Sequence, residues 1–124
     1  MRVNNTQFMS GVTLNRTLYS QPMQLNQVLG FCIQAVITGT PTGTIQLQAS
    51  TDPNTPLATL PPDYPQLPVN WDNIANSLFT VTAAGTCTWN YTESMFNWVR
   101  IAYTDGSGGL STATISARIN TKGW

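Results

Sequence analysis

Carboxylates are the only side chains in this sequence that could serve as general acids or bases at neutral pH. The chain contains no His, so the commonest general base and the Ser-His and Cys-His nucleophile pairs are all missing. Two carboxylates on converging loops could act as acid and base on a glycosidic bond. The five present are not linked by any local spacing, and we therefore expect that the protein is not an enzyme. They are Asp52, Asp63, Asp72, Glu93 and Asp105.

Two of these carboxylates stand at turn signals. Asp52 precedes Pro53 and Asp105 precedes Gly106, where an aspartate usually accepts hydrogen bonds from the backbone that follows it. Together with loop carbonyls they could also hold calcium, because hard oxygen ligands suffice for that ion. The chain has no EF-hand-like string of acidic residues, so the sequence favours turn formation. We expect no metal and no other cofactor.

The two cysteines have neither the spacing of metal ligands nor a His to complete a site. Cys87 shares the phase of Trp89 and Tyr91, which we place inward, whereas Cys32 is out of phase with its apolar neighbours. A disulfide between them is compatible with the sequence. We favour two small, buried, reduced thiols.

The aromatic side chains have two competing uses, core packing and stacking on sugars. Trp89 and Tyr103 share the phase of inward positions and are predicted to be core residues. Trp98 is in phase with Arg100, which predicts an exposed aromatic and makes this pair the candidate glycan contact. Trp124 is predicted to dock on a partner.

Charged side chains are scarce. They make up 8% of the residues, against roughly 25% in a typical soluble protein, and five basic and five acidic side chains cancel. The chain therefore has no electrostatic footprint for nucleic acid or an anionic membrane. Weak repulsion between copies is a liability for a free monomer but is tolerable in an assembly, so we expect a homo-oligomer or a repeated subunit.

Alternating apolar and polar residues predict the elements that position these side chains. Residues 28–38 are predicted to be a central strand with both faces covered, and residues 71–75 a single helical turn. In the strand over residues 44–50 we expect Ile45, Leu47 and Ala49 to face inward. Gly-containing turns predict that residues 28–50 and 96–119 form two hairpins. The remaining predicted strands cover residues 12–20, 78–83 and 86–91.

Strands of this number and spacing predict an all-β fold, a single antiparallel β-sandwich of jelly-roll or immunoglobulin-like type. The sequence leaves these two topologies open. We expect a sandwich domain over residues 12–124 and an N-terminal arm over residues 1–11. Val3, Phe8 and Met9 of the arm are predicted to contact another subunit.

A long Pro-rich loop over residues 52–68 interrupts the strands. Its six prolines exclude a helix or an interior strand. The loop could seal one end of the sandwich, or it could present its apolar side chains to a neighbour at low entropic cost. The predicted interface side chains are Leu57, Leu60, Tyr64 and Leu67.

Residues 33–50, residues 70–74 (NWDNI) and residues 98–105 (WVRIAYTD), with Gly108 and Gly109, resemble small virion proteins of bacteriophages. Those are β-sandwich modules used as accessory capsid, decoration, spike or tail components. The resemblance covers about residues 31–123, with the Pro-rich loop as an insertion. It implies packing against other virion proteins and supplies no catalytic residues.

This resemblance also implies that the protein is part of the virion after synthesis in the host cytoplasm. We expect no signal peptide and no membrane span, because no apolar stretch has the length of either. A weaker similarity links the pair Trp71 and Arg100 to discoidin-like sugar-binding jelly rolls. It implies an alternative function, a carbohydrate-binding module for attachment to the host surface.

Overall fold

Two antiparallel β-sheets enclose a hydrophobic core in a computed structural model that describes residues 2–25, 28–52 and 68–123. The all-β fold predicted from the sequence is confirmed. In the described part of the chain no helix is long and apolar enough to cross a membrane. The strands of the described residues are β1 (Arg2–Thr13), β2 (Leu18–Tyr19), β3 (Met23–Gln24), β4 (Val28–Thr38), β5 (Gly43–Ser50), β6 (Asp72–Asn73), β7 (Phe79–Val81), β8 (Gly85–Tyr91), β9 (Trp98–Asp105) and β10 (Thr114–Gly123).

The strand order differs between the two sheets. The first sheet has the order β1-β10-β4-β8. In the second sheet β9 and β5 lie side by side at the centre, with β2 and β3 along the outer edge of β9 and β6 and β7 along the outer edge of β5. β1, β4, β8 and β9 are each followed along the chain by a strand of the other sheet, whereas β5 is followed by β6 of its own sheet.

This connectivity corrects the two predicted hairpins. β4 and β5 lie in different sheets, as do β9 and β10, so neither pair forms a hairpin. The connection over residues 39–42 can extend to about 13 Å, more than the ~10 Å that separates packed sheets. A connection of this length therefore allows either a hairpin within one sheet or a crossing from one sheet to the other. The alternation of apolar and polar residues along each strand is the same in both cases.

The inward faces of the strands follow the alternation seen in the sequence. Ile45, Leu47 and Ala49 are buried, as are Trp89 and Tyr103, which confirms these predictions. β4 does lie between two neighbours, but the prediction that both of its faces are covered is wrong. Its residues alternate between buried and exposed over the second half of the strand, because only the face towards the second sheet is covered.

The N-terminal segment is part of the sandwich. β1 pairs with β10 from Arg2 to Thr13, so the prediction that residues 1–11 form an arm separate from the sandwich domain is wrong. The register shifts between Gln7 and Met9, and Phe8 and Met9 both lie in the core of their own domain. They are therefore not exposed contacts for another subunit. Two adjacent buried residues break the alternation, which is why the sequence pattern hid this strand.

Two further boundaries differ from the prediction. Residues 12–20 hold the end of β1 and the short β2, separated by a bend. Residues 71–75 form no helical turn; they contain β6 and lead into a turn in which Asn76 has a φ of 63°. The backbone of this segment bonds to β5 instead, since Ile74 N donates to Leu47 O at 2.9 Å.

Candidate binding surface on the outer face of the second sheet

Three polar side chains form a row across the outer face of the second sheet. Gln48 of β5 lies opposite both Arg100 of β9 and Asn73 of β6 in the strand register. Arg100 Nε donates to Gln48 Oε1 at 2.8 Å, and Gln48 Nε2 donates to Asn73 Oδ1 at 2.9 Å. The Gln48 amide is therefore held at both ends, and it holds Arg100.

The Arg100 guanidinium lies between two aromatic rings. Its Cζ is 3.9 Å from the centroid of the Tyr19 ring and 4.2 Å from that of the Trp71 ring. Both distances are in the range of favourable cation–π interactions. We call Tyr19, Arg100, Trp71 and Gln48 the Arg100 cluster.

The strand order explains how this cluster forms. β2 lies on one side of β9, and Leu18 points into the core there, so the adjacent Tyr19 points outward. Trp71 precedes β6 on the other side of the sheet, and its Nε1 donates to Pro68 O at 3.2 Å. The two rings thus reach Arg100 from opposite sides.

The charge of Arg100 has no carboxylate partner among the described residues. Burial lowers the pKa of its guanidinium, and the Tyr19 phenol opposes this shift. An arginine remains protonated in spite of such a shift. The cluster is therefore a partly desolvated cation on a sheet face.

The two residues of the predicted glycan contact, Trp98 and Arg100, differ in exposure. Trp98 is 7% exposed, so the prediction that it is an exposed aromatic is wrong. It lies between Gln24 of β3 and Ser50 of β5, so it has sheet neighbours on both sides. Arg100 does lie at the surface, and its aromatic neighbour there is Trp71.

Tyr19 is the member of the cluster that sequence reasoning missed. It is 55% exposed, and the inward phase of Leu18 was the signal that would have placed it on the outer face. Its approach to Arg100 depends on β2 pairing with β9, at a separation of more than 80 residues along the chain, and no local pattern records that pairing.

The predicted interface residues are distributed differently. Val3 lies on the edge strand β1 and is 67% exposed, so its contact with another subunit stays a prediction. The other predicted interface positions, Leu57, Leu60, Tyr64, Leu67 and Trp124, lie outside the described residues.

Asp52 and Asp105 fasten loops, as their turn signals predicted. The Asp52 carboxylate accepts from Val69 N at 2.7 Å, from Asn70 N at 3.1 Å and from Asn70 Nδ2 at 3.0 Å. These bonds, that of the Asn70 side chain foremost, lower the pKa of Asp52. They also join the two ends of the Pro-rich loop. Among the described residues no group of three or more His, Cys, Asp or Glu is placed to hold a metal ion.

The two thiols are free in the structure. Cys87 is buried as predicted, and burial raises the pKa of its thiol. Cys32 is only half-buried, so the prediction that both are buried is wrong for this residue. It lies on the outer face of β4, out of phase with the core residues of that strand.

Comparisons with known proteins show similarity in fold only. No protein-family model matches the chain, and no curated protein matches it. Among solved structures, the chain is similar to the SPBc2 prophage-derived protein YomS, with a TM-score of 0.56 and 10% identity over 98% of this chain and 95% of that one.

Two other solved structures are similar over the same extent of this chain. A Bacillus endospore appendage protein has a TM-score of 0.50 and 9% identity over 98% of this chain and 87% of that one. The Tobacco streak virus coat protein has a TM-score of 0.49 and 6% identity over 98% of this chain and 85% of that one.

Proposed function

We propose that this protein is a structural virion protein of a bacteriophage, an accessory capsid, decoration, spike or tail subunit that packs against other virion proteins. The observation that carries the proposal is the strand order. One sheet has the order β1-β10-β4-β8. The other has β9 and β5 at its centre, with β2 and β3 beside β9 and with β6 and β7 beside β5. This order favours a jelly roll, an architecture used by viral capsid domains. An immunoglobulin-like sandwich has consecutive strands paired within one sheet.

Two of the structural likenesses favour the same function. YomS is derived from a prophage, and it shares the fold over almost its whole length. The endospore appendage protein belongs to a family of disulfide-linked pili, which are assemblies of repeated subunits. For the present chain we propose an assembly of repeated subunits without catalysis, since two of its five carboxylates fasten loops.

The exposed edge of β1 is the contact that we propose in the described part of the chain. Among the described residues β1 pairs only with β10, so the other side of this long strand presents backbone N–H and C=O groups that can pair with another chain. Val3 lies on this edge with most of its surface exposed. We propose that the apolar side chains of the Pro-rich loop make a second contact with a neighbouring subunit. They are Leu57, Leu60, Tyr64 and Leu67.

Mass spectrometry of gradient-purified particles of the phage that encodes this sequence tests the proposal. We expect the protein in the particles at a fixed stoichiometry, and its absence from them would overturn the proposal. Val3→Asn should lower incorporation. Leu110→Asn is the matched control, since Leu110 is also largely exposed but lies in a loop where we propose no contact. Equal incorporation of both variants would contradict the β1 contact.

The second candidate function is a carbohydrate-binding module for attachment to the host surface. The Arg100 cluster favours it, because Tyr19 and Trp71 are aromatic side chains at the outer face of a sheet. Trp71→Ala should abolish binding on a glycan array and leave incorporation into particles intact. Failure of the unchanged protein to bind any glycan would count against this candidate.

A further inference from the structure

The Arg100 guanidinium has donors that the described residues leave unused. An arginine carries five N–H donors in a planar fork. Nε–H is bonded to Gln48, and the two ring faces of Tyr19 and Trp71 cover the guanidinium from the sides. No described residue accepts a hydrogen bond from Nη1 or Nη2. The open donors therefore all lie in the plane of the guanidinium, at its outer end.

The cluster holds this fork in one orientation. Gln48 fixes Nε, and Asn73 in turn fixes the Gln48 amide. The rings limit rotation about the remaining side-chain bonds, so less conformational freedom is lost when a ligand binds. A partly desolvated cation also forms stronger hydrogen bonds with an anion than a fully hydrated one does.

We propose that the Arg100 cluster binds the carboxylate of an acidic sugar. A carboxylate is planar, and its two oxygens match the two Nη groups in a bidentate pair. Both oxygens of a carboxylate are paired by this fork, whereas a sulfate or phosphate has further oxygens that the fork does not reach. The exposed part of the Tyr19 ring offers an apolar surface for the C–H face of the sugar. This inference names the ligand class of the second candidate function and rests on it.

Calorimetric titration of the full chain with N-acetylneuraminic acid and with glucuronic acid tests the proposal. Glucose and the methyl ester of glucuronic acid serve as uncharged probes. We expect the acids to bind at least about tenfold more tightly than the uncharged probes, the effect of losing a charge-assisted pair. Equal binding of glucose and glucuronic acid would overturn the carboxylate assignment and leave the carbohydrate-binding function standing.

Substitutions locate the site. Arg100→Lys keeps the charge but lacks the planar fork, and we expect it to weaken binding of the acids by about tenfold to a hundredfold. Arg118→Gln is the matched control, because Arg118 is an exposed arginine of the first sheet that already donates to Asn5 and Gln7. Unchanged binding by Arg100→Lys would overturn the proposal.

Two further measurements separate the remaining outcomes. Tyr19→Ala alters an exposed side chain, so it should fold even if Arg100 variants do not, and it should also weaken binding of the acids. Polyglutamate is the probe for a protein partner, and binding of polyglutamate without binding of either acidic sugar would overturn the assignment to sugars. If no sugar binds while purified particles contain the protein, this inference and the carbohydrate-binding function both fail and the virion function stands.

Discussion

Replacement of Ser77 by Ala tests how the second sheet is completed at its edge. β6 and β7 both pair with β5, and between them the Ser77 hydroxyl takes the place of a strand neighbour. Its Oγ accepts from Leu47 N at 3.1 Å and donates to Ile74 O at 2.7 Å. Its carbonyl oxygen accepts from Trp89 Nε1 at 2.7 Å, which ties this edge to the first sheet. Ser77 is 1% exposed.

The structure sets the size of the effect. Ser77→Ala leaves Leu47 N–H buried without its acceptor, which costs about 1–3 kcal/mol of unfolding free energy. The loss of one oxygen leaves almost no cavity, so we expect about 2 kcal/mol in total. For a domain of this size that corresponds to a decrease in Tm of about 8 °C. Calorimetry measures the Tm, and urea unfolding followed by circular dichroism measures the free energy of unfolding. We expect the slope of this free energy against urea concentration to be unchanged.

Ser116→Ala is the matched control. The Ser116 hydroxyl also accepts from a backbone amide, that of Gly11 at 2.9 Å, but this bond is exposed and water can replace it. We expect a loss below about 0.5 kcal/mol. A loss for Ser77→Ala no larger than that for Ser116→Ala would refute the role of the hydroxyl in completing the sheet.

Three further predictions concern packing, pH dependence and thiol reactivity. Gly30→Ala should destabilise the fold by about 1–3 kcal/mol or more, because the new Cβ would lie 2.6 Å from two carbonyl oxygens. Gly85→Ala is the control, because a Cβ there meets nothing within 4 Å. In urea unfolding this control should match the unchanged protein. Hydrogen bonds from the Ser107 side chain and from backbone amides lower the pKa of Asp105 in the folded state. The stabilisation from Asp105 is therefore present above the pKa of the unfolded chain and is lost as the pH falls through the pKa of the folded protein. Below about pH 4 the Tm of Asp105→Asn should fall less than that of the unchanged protein. In native protein iodoacetamide should modify half-buried Cys32 and spare buried Cys87. Mass spectrometry of the digested protein measures the labelling of each thiol, and equal labelling of the two would contradict this prediction.

Much of the local structure could be predicted from the sequence. Ile45, Leu47 and Ala49 point inward as the alternation indicated, and Trp89 and Tyr103 are core residues. A strand with one buried face has the same period wherever it lies in a sandwich, so this signal is local and robust. The exceptions arise where the period breaks, as at Phe8 and Met9, where a register shift buries two consecutive side chains.

The partners of the strands could not be predicted in the same way. The alternation in β4 and β5 is equally compatible with a hairpin and with a crossing between sheets, and the sequence of the turn does not distinguish them. The prediction of Trp98 as exposed failed for a related reason. Phase places a side chain on the outer face of β9, but tertiary contacts decide how much of it remains exposed, and Trp98 is 7% exposed.

The amino-acid sequence by itself determined β4, β5 and β7 to β10. It also determined the inward side chains of Ile45, Leu47, Ala49, Trp89 and Tyr103 and the turns that Asp52 and Asp105 fasten. These properties depend on periodicity and on interactions over a few residues. The tertiary structure decided the sheet to which each strand belongs and brought Tyr19, Gln48, Trp71 and Arg100 together. Those four residues come from distant parts of the chain, and their contact depends on the pairing of whole strands, which minimises exposed apolar surface and unpaired backbone groups over the entire domain.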